Sequence, residues 1–418
     1  MMVQSDATKN AYRDIYEQYV DVASFVWVLR SIAVNRPHYT LQDMQGLERR
    51  LEAQLDGIMT SVDEGWDACE NALETGEPGE VFTAAVVAIR SHDIHHIRLA
   101  VEKGLVNETT SKGLISALGW LPDYLANPWI EKFLNGKDLN HKFLGIAACS
   151  VRRQNPGDQL TALFKRSDCL QHEILHARAL RLIGELRRQD LMPALAAGLN
   201  ADNATLKFWS AWSSVLLGNK KAVEHLRPYV LAPGPYHHRA IQLAFRVLPV
   251  EQARGWISEM AKNNKRVRSV VLATGILGDP HAVNWLIAKM QESPLARIAG
   301  EAFSQITGTD LEPLQAVRLP PAGEVGGPND DANDSNVALD DDEYLPWPEP
   351  AKVAALWQRL GQNFIVGRRY FSGRPVSVEV LKEKLANGFQ RQRHAAALEL
   401  ALIDSDHRLV NTKARAIP

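Results

Sequence analysis

The sequence predicts an all-α fold: a right-handed α-solenoid of about seven helix pairs, with a helical N-terminal cap and a small helical C-terminal module. Three observations predict it. Apolar residues recur at helical spacing through most of the chain, and from about residue 82 to 310 two apolar residues three apart return every 30 to 33 residues. Breaks rich in Gly and Pro stand ahead of those pairs, as expected where one helix ends and the next begins.

The N-terminal segment reads as helix from Tyr12 to Val34, broken at Asn35-Arg-Pro37. A second helix follows Thr40, whose hydroxyl can cap it with Asp43 three residues on. Leu47, Leu51, Leu55 and Ile58 then line one face. Residues 1–80 are therefore expected to cover the open end of the solenoid.

In residues 81–312 the pairs are Ile97/Ala100, Ile130/Phe133, Leu160/Leu163, Met192/Leu195, Val223/Leu226, Ala253/Trp256 and Val283/Leu286. Breaks stand at Asn127-Pro128, Asn155-Pro-Gly-Asp158, Gly218-Asn219 and Gly278-Asp-Pro280. A helix pair of this size buries too little alone and must stack on its neighbours. Residues 313–344 form an acidic linker rich in Pro and Gly, with Asp330, Asp331, Asp334, Asp340, Asp341, Asp342 and Glu343, expected to be solvated and mobile. Residues 345–418 resume order, with helices expected at 351–360, 377–387 and 390–403.

Two units, Ala179–Leu186 (ALRLIGEL) with Leu191–Leu195 (LMPAL), and Leu272–Val283 (LATGILGDPHAV), resemble the short bacterial HEAT repeat of the PBS-lyase type. Leu345-Pro-Trp-Pro, Trp357, the stretch Phe364–Pro375 (FIVGRRYFSGRP), Ala397–Leu402 and Gly76–Phe82 are together similar to an uncharacterised bacterial HEAT-repeat family often encoded beside type VI secretion genes. The resemblance implies a setting and a protein partner, a secretion component or an effector. It brings no catalytic residues.

Composition narrows the function. The 418 residues carry 47 Lys plus Arg against 49 Asp plus Glu, a net charge of -2, which excludes a uniformly basic nucleic-acid coat. With 45% hydrophobic residues the chain can bury a large core. No apolar run is long enough to span a membrane and the first residues lack a secretory pattern, so a cytoplasmic protein without membrane attachment is expected. Cys69, Cys149 and Cys169 are too far apart for a thiolate cage and read as buried, inert thiols.

His172-Glu-Ile-Leu-His176 matches H-E-x-x-H, which on one helix could present both imidazoles to zinc with Glu173 as general base. No third ligand follows on that face, and Glu185 points to the opposite side, so His172 and His176 read as residues flanking a buried stripe. His95-His96 and His237-His238 are adjacent and poorly placed to chelate one ion. Asp331, Asn333, Ser335 and Asp342 match four positions of an EF-hand loop, without its glycine or its final Glu. No metal or cofactor is expected.

The remaining signal is positional. Arg152-Arg153, Arg187-Arg188 and Lys220-Lys221 fall at turns of consecutive units and would stack as a basic ridge, either for solubility or as a docking edge for an acidic partner or the chain's own acidic linker. Asn263–Arg268 is a further basic cluster. A second contact surface is expected at Arg368, Arg369, Tyr370 and Arg374, with packing of the C-terminal module as the alternative. A non-enzymatic interaction scaffold follows, ahead of a nucleic-acid-binding or glycosylase-like HEAT enzyme, a chromophore lyase or a zinc protease.

Overall fold

The computed structural model describes residues 3–321 and 339–416, with side chains from Arg13 onward. Among the described residues there are 22 α-helices and one two-residue hairpin, so the chain is all-α. It forms two compact units: Met1–Asn35 with Tyr39–Gly198 and Val410–Pro418, and Arg36–His38 with Leu199–Leu409. The boundary at 198/199 lies inside the stretch expected to be one array, and the residues from Val410 join the first unit rather than the C-terminal module. Periodicity reports how helices recur along the chain; it does not report how many contacts cross each turn.

The first unit contains α1 (Val3–Ala33), α2 (Leu41–Ile58), α3 (Val62–Ala72), α4 (Pro78–Ser91), α5 (Ile94–Gly104), α6 (Glu108–Trp120), α7 (Asp123–Asn135) and α8 (Leu139–Arg152). It continues with α9 (Asp158–Leu163), α10 (Ser167–Gln171), α11 (Glu173–Leu186) and α12 (Met192–Leu199), whose last residue crosses the boundary. Thr40 and Asp43 form the reciprocal cap of α2: the Asp43 amide donates to Thr40 Oγ1 at 3.2 Å and the Thr40 amide to Asp43 Oδ2 at 2.9 Å. Leu47, Leu51, Leu55 and Ile58 are buried, and α2 packs on α1. The helices α4, α6, α8 and α11 pack each on the next, with α5 and α7 against this row. Val81 to Ile89 of α4 are buried without a gap, as a helix apolar all round requires.

The second unit contains α13 (Ala204–Leu216), α14 (Arg227–Leu231), α15 (His237–Val247), α16 (Val250–Ala261), α17 (Val267–Leu277), α18 (Val283–Lys289), α19 (Ser293–Thr307) and α20 (Pro350–Leu360). The hairpin β1 (Tyr370–Phe371) and β2 (Arg374–Pro375) precedes α21 (Val378–Asn387) and α22 (Gln390–Ile403). The last three helices match the expected ones to within a residue. Here α15, α17 and α19 pack in sequence, with α16 on α17 and α18 on α19.

Of the apolar pairs that set the period, every member is buried except Met192, which is half-exposed beside buried Leu191. Five helix ends share one conformation. His92, Arg153, Arg187, Gly278 and Gly308 end α4, α8, α11, α17 and α19 in left-handed backbone, with φ of +57°, +54°, +57°, +72° and +69°. Asn127-Pro128 is not a break. Pro122 caps α7 and Pro128 lies inside it, where burial of Ile130, Phe133 and Leu134 offsets the lost backbone bond.

Candidate functional site

The H-E-x-x-H residues are not on one helix. His172 is the N-cap of α11, in extended backbone, with Nδ1 accepting the Leu175 amide at 3.3 Å and Nε2 3.2 Å from Asn140 Oδ1. His176 Nδ1 donates to the Leu170 carbonyl at 3.2 Å, and burial lowers its pKa before that bond partly raises it. Both rings are engaged in fixing the start of α11. Among the described residues no three His, Cys, Asp or Glu side chains are grouped to hold a metal. His96 stacks on Trp66 at 4.1 Å, and His237 bonds the Tyr229 carbonyl and Ser269 Oγ, each at 2.9 Å.

The three cysteines are buried and unpaired. Burial pushes the Cys149 thiol up to about 12 and that of Cys69 higher still, away from thiolate chemistry.

The paired cations stand at the expected turns but not at equivalent positions. The left-handed residue is the second arginine of Arg152-Arg153, the first of Arg187-Arg188, and Gly218, two residues ahead of Lys220. Three of the four arginines of these pairs are engaged within the first unit. Arg152 reaches back to the preceding turn, donating to the Leu118 and Leu121 carbonyls at 2.7 and 2.8 Å and pairing with Asp123. Arg188 does the same one turn later, bonding Asn155, the Gly157 carbonyl and Thr161 at 2.9–3.1 Å, besides Asp190. Arg153 turns inward to Glu185 at 3.3 Å. These cations brace successive turns, whereas Lys220 and Lys221 of the second unit are exposed.

The Phe364–Pro375 stretch also packs inward in part. Arg369 bonds both oxygens of buried Glu399 at 2.7 and 2.9 Å and donates to the Leu277 and Arg246 carbonyls. Arg246 lies 3.3 Å from the same carboxylate; burial lowers its pKa to about 10, which Glu399 opposes and Arg369 reinforces. Tyr370 is buried, and its amide bonds the Gly278 carbonyl at 2.8 Å. Arg368 and Arg374 are exposed, the latter paired with Glu383. Arg and aromatic residues mark cores and interfaces alike, so composition did not separate the two readings.

The acidic stretch gives the most specific arrangement. Asp330, Asp331, Asn333, Asp334 and Ser335 lie outside the described residues, but Asp340 and Asp342 are held by arginines of the second unit, with Asp341 and Tyr344 exposed. Arg268 grips Asp342 with both guanidinium nitrogens at 2.7 and 2.6 Å, burying all but 4% of its side chain. Arg297 bonds Asp340 at 2.6 Å and the Asp342 carbonyl at 3.0 Å. Arg36 donates to the Asp340 carbonyl and lies 3.5 Å from Glu343; Arg391 donates to the Asp341 carbonyl and pairs with Glu301 at 2.8 Å. Burial would raise the Asp340 carboxyl, but the Asp342 amide, Arg297 and Arg268 outweigh it and hold it below the usual carboxylate range. Arg268 belonged to a cluster visible in the sequence; Arg36, Arg297 and Arg391 are isolated along the chain and gave no signal.

Fold and site together define an all-helical protein that holds a segment of its own chain among arginines. No family model matches the chain, and no solved structure does. A stretch of 135 residues is 30% identical to heme A synthase of Rhodopseudomonas palustris (strain TIE-1), covering 30% of this chain and 36% of that protein. The chain thus spans little more than a third of that relative's length.

Proposed function

We propose that the protein is a non-enzymatic, cytoplasmic interaction scaffold, a right-handed α-solenoid of HEAT-like pairs that holds another protein. The observation that carries the reading is the Asp340–Tyr344 strap: the surface already holds a peptide turn through ion pairs and backbone bonds. Consecutive packing of α4, α6, α8 and α11, and of α15, α17 and α19, supports the stacked-pair architecture. The use of His172 and His176 in starting α11 favours a structural role for the one protease-like motif. The family resemblance suggests a secretion component or an effector as the partner, with the protein as adaptor, chaperone or immunity-like factor.

Co-purification of the tagged protein from its native cell at low and high salt, read by mass spectrometry, tests this. One stoichiometric protein partner, retained at low salt and depleted at high salt, is expected. Recovery of no protein, together with stoichiometric zinc and peptide cleavage that are lost in His176→Ala, would replace the scaffold with an enzyme.

A further inference from the structure

We propose that the arginine groove of the second unit is a docking site for an acidic Asp-x-Asp segment of a partner protein, and that Asp340–Asp342 fills it in cis as an exchangeable stand-in. This rests on the scaffold reading and specifies the chemistry of the partner.

Arg36, Arg268, Arg297 and Arg391 come from separate places in the chain: the segment after α1, then α17, α19 and α22. Glu301 is the carboxylate of the groove itself that pairs with one of them. With the strap away, these guanidinium groups would lose its carboxylates; α17, α19 and α22 would stay packed on other helices, and Arg36 lies in the segment after α1. Such a groove attracts an acidic ligand strongly.

The way the strap is gripped defines what else would fit. Two carboxylates two residues apart, Asp340 and Asp342, take the shortest salt bridges, one of them bidentate, while Glu343 lies 3.5 Å from Arg36. The carbonyls of Asp340, Asp341 and Asp342 accept from Arg36, Arg391 and Arg297. These carbonyl bonds do not depend on side-chain identity but on a turn, in which the Glu343 amide bonds the Asp340 carbonyl at 3.2 Å and the Leu345 amide the Asp342 carbonyl at 2.9 Å; the Asp341 residue between the two anchors is exposed. An acidic peptide meets both requirements; a nucleic acid would meet only the charge requirement.

Exchange is possible because the excursion is closed at its base. Val317 bridges Pro348, the Arg318 amide donates to the Trp347 carbonyl at 2.9 Å, and the Glu349 amide to the Ala316 carbonyl at 2.8 Å. The strap can therefore leave the groove without unravelling α20. Arg268 keeps 41% of its side chain exposed, so its pair with Asp342 can be challenged from solvent.

The probe is a fluorescent peptide with the sequence Leu339–Pro346, titrated by anisotropy at low salt into the full chain. The variant D340N/D342N is expected to bind it at least tenfold more tightly than the wild type, and adding R268Q/R297Q to that variant to remove the gain. In the wild type, excess peptide is expected to speed amide exchange at residues 340–345 while the Arg318 and Glu349 amides keep their protection. That exchange measurement decides the matter if D340N/D342N does not fold. Equal affinity of folded wild type and variant, unchanged exchange at the strap, or equal competition by an oligonucleotide of the same charge would overturn the proposal. Partner capture from cells that is untouched by R268Q/R297Q would keep the scaffold and remove the groove. Peptide binding as expected with no cellular partner would do the reverse.

Discussion

Glu185 is buried completely, in the first unit, where a lone carboxylate would be costly. Burial would raise its pKa, but Arg181, Arg153 and Arg178, with the Ser150 hydroxyl, hold it down at about 2. A carboxyl with a depressed folded pKa stabilises fully above its unfolded pKa and loses that contribution as pH falls through the folded value. The wild type is therefore expected to lose, between about pH 4.5 and pH 2, on the order of 3 kcal/mol from this group, at about 1.4 kcal/mol per pKa unit. Glu185→Gln should cost about 3 kcal/mol at pH 7 by leaving Arg153 and Arg181 without their counter-charge, and should flatten the acid limb. Urea unfolding of both proteins as a function of pH checks it; parallel acid limbs would show that the carboxylate is not the source. Helical geometry in the sequence placed Glu185 away from His176, but Ser150 and Arg153 belong to the turn at the end of α8, and no local pattern links them to it.

The hairpin is the element on which the sequence left two readings open, and the glycines explain its packing. A Cβ on Gly278 would lie 2.2 Å from the Tyr370 carbonyl oxygen, and one on Gly308 2.5 Å from that of Ser372. Each glycine therefore supplies both a left-handed helix end and room for the hairpin backbone. Gly218 has φ +98° with nothing within 4 Å of its Cβ position, so it isolates the conformational effect. Gly218→Ala is expected to cost about 1 kcal/mol, and Gly278→Ala about 3 kcal/mol or more because overpacking adds to the strain. Denaturant midpoints measure the difference, and equal losses would mean that the hairpin gives way freely. The cap at Thr40 and the apolar faces were legible because each is written within one or two helical turns. The hairpin's partners were not, since Gly278 and Glu399 stand far from Arg369 on either side.

At the scale of the whole molecule, the near-balance of charge concealed where the charges go: acidic side chains expected in solvent at 340 and 342 are paired with Arg297 and Arg268. The first unit likewise depends on a distant segment. Arg30, paired with buried Glu48 at 2.7 Å, also donates to the Lys413 and Ala414 carbonyls, and Glu48 accepts the Ala416 amide at 2.8 Å. Arg415 lies over Trp120 and 3.2 Å from Glu52, and Asn411 donates to the Val151 carbonyl. A chain stopped at residue 409 should lose roughly 2–4 kcal/mol, through backbone and ionic partners removed from buried groups. A peptide of residues 410–416 added in excess is expected to restore part of that, read as a thermal shift. No loss on truncation would make the segment a passive tether.

The bond from Arg30 to Ala414 also has a meaning in time. At about 5–20 residues per second of synthesis, Arg30 and Glu48 leave the ribosome roughly 20–75 s before those carbonyls exist. Until then the pair must stay hydrated or find temporary partners. A nascent chain thus carries an open ionic socket at Arg30 and Glu48 that closes only when residue 414 arrives, so completion of the first unit registers that translation has passed that point.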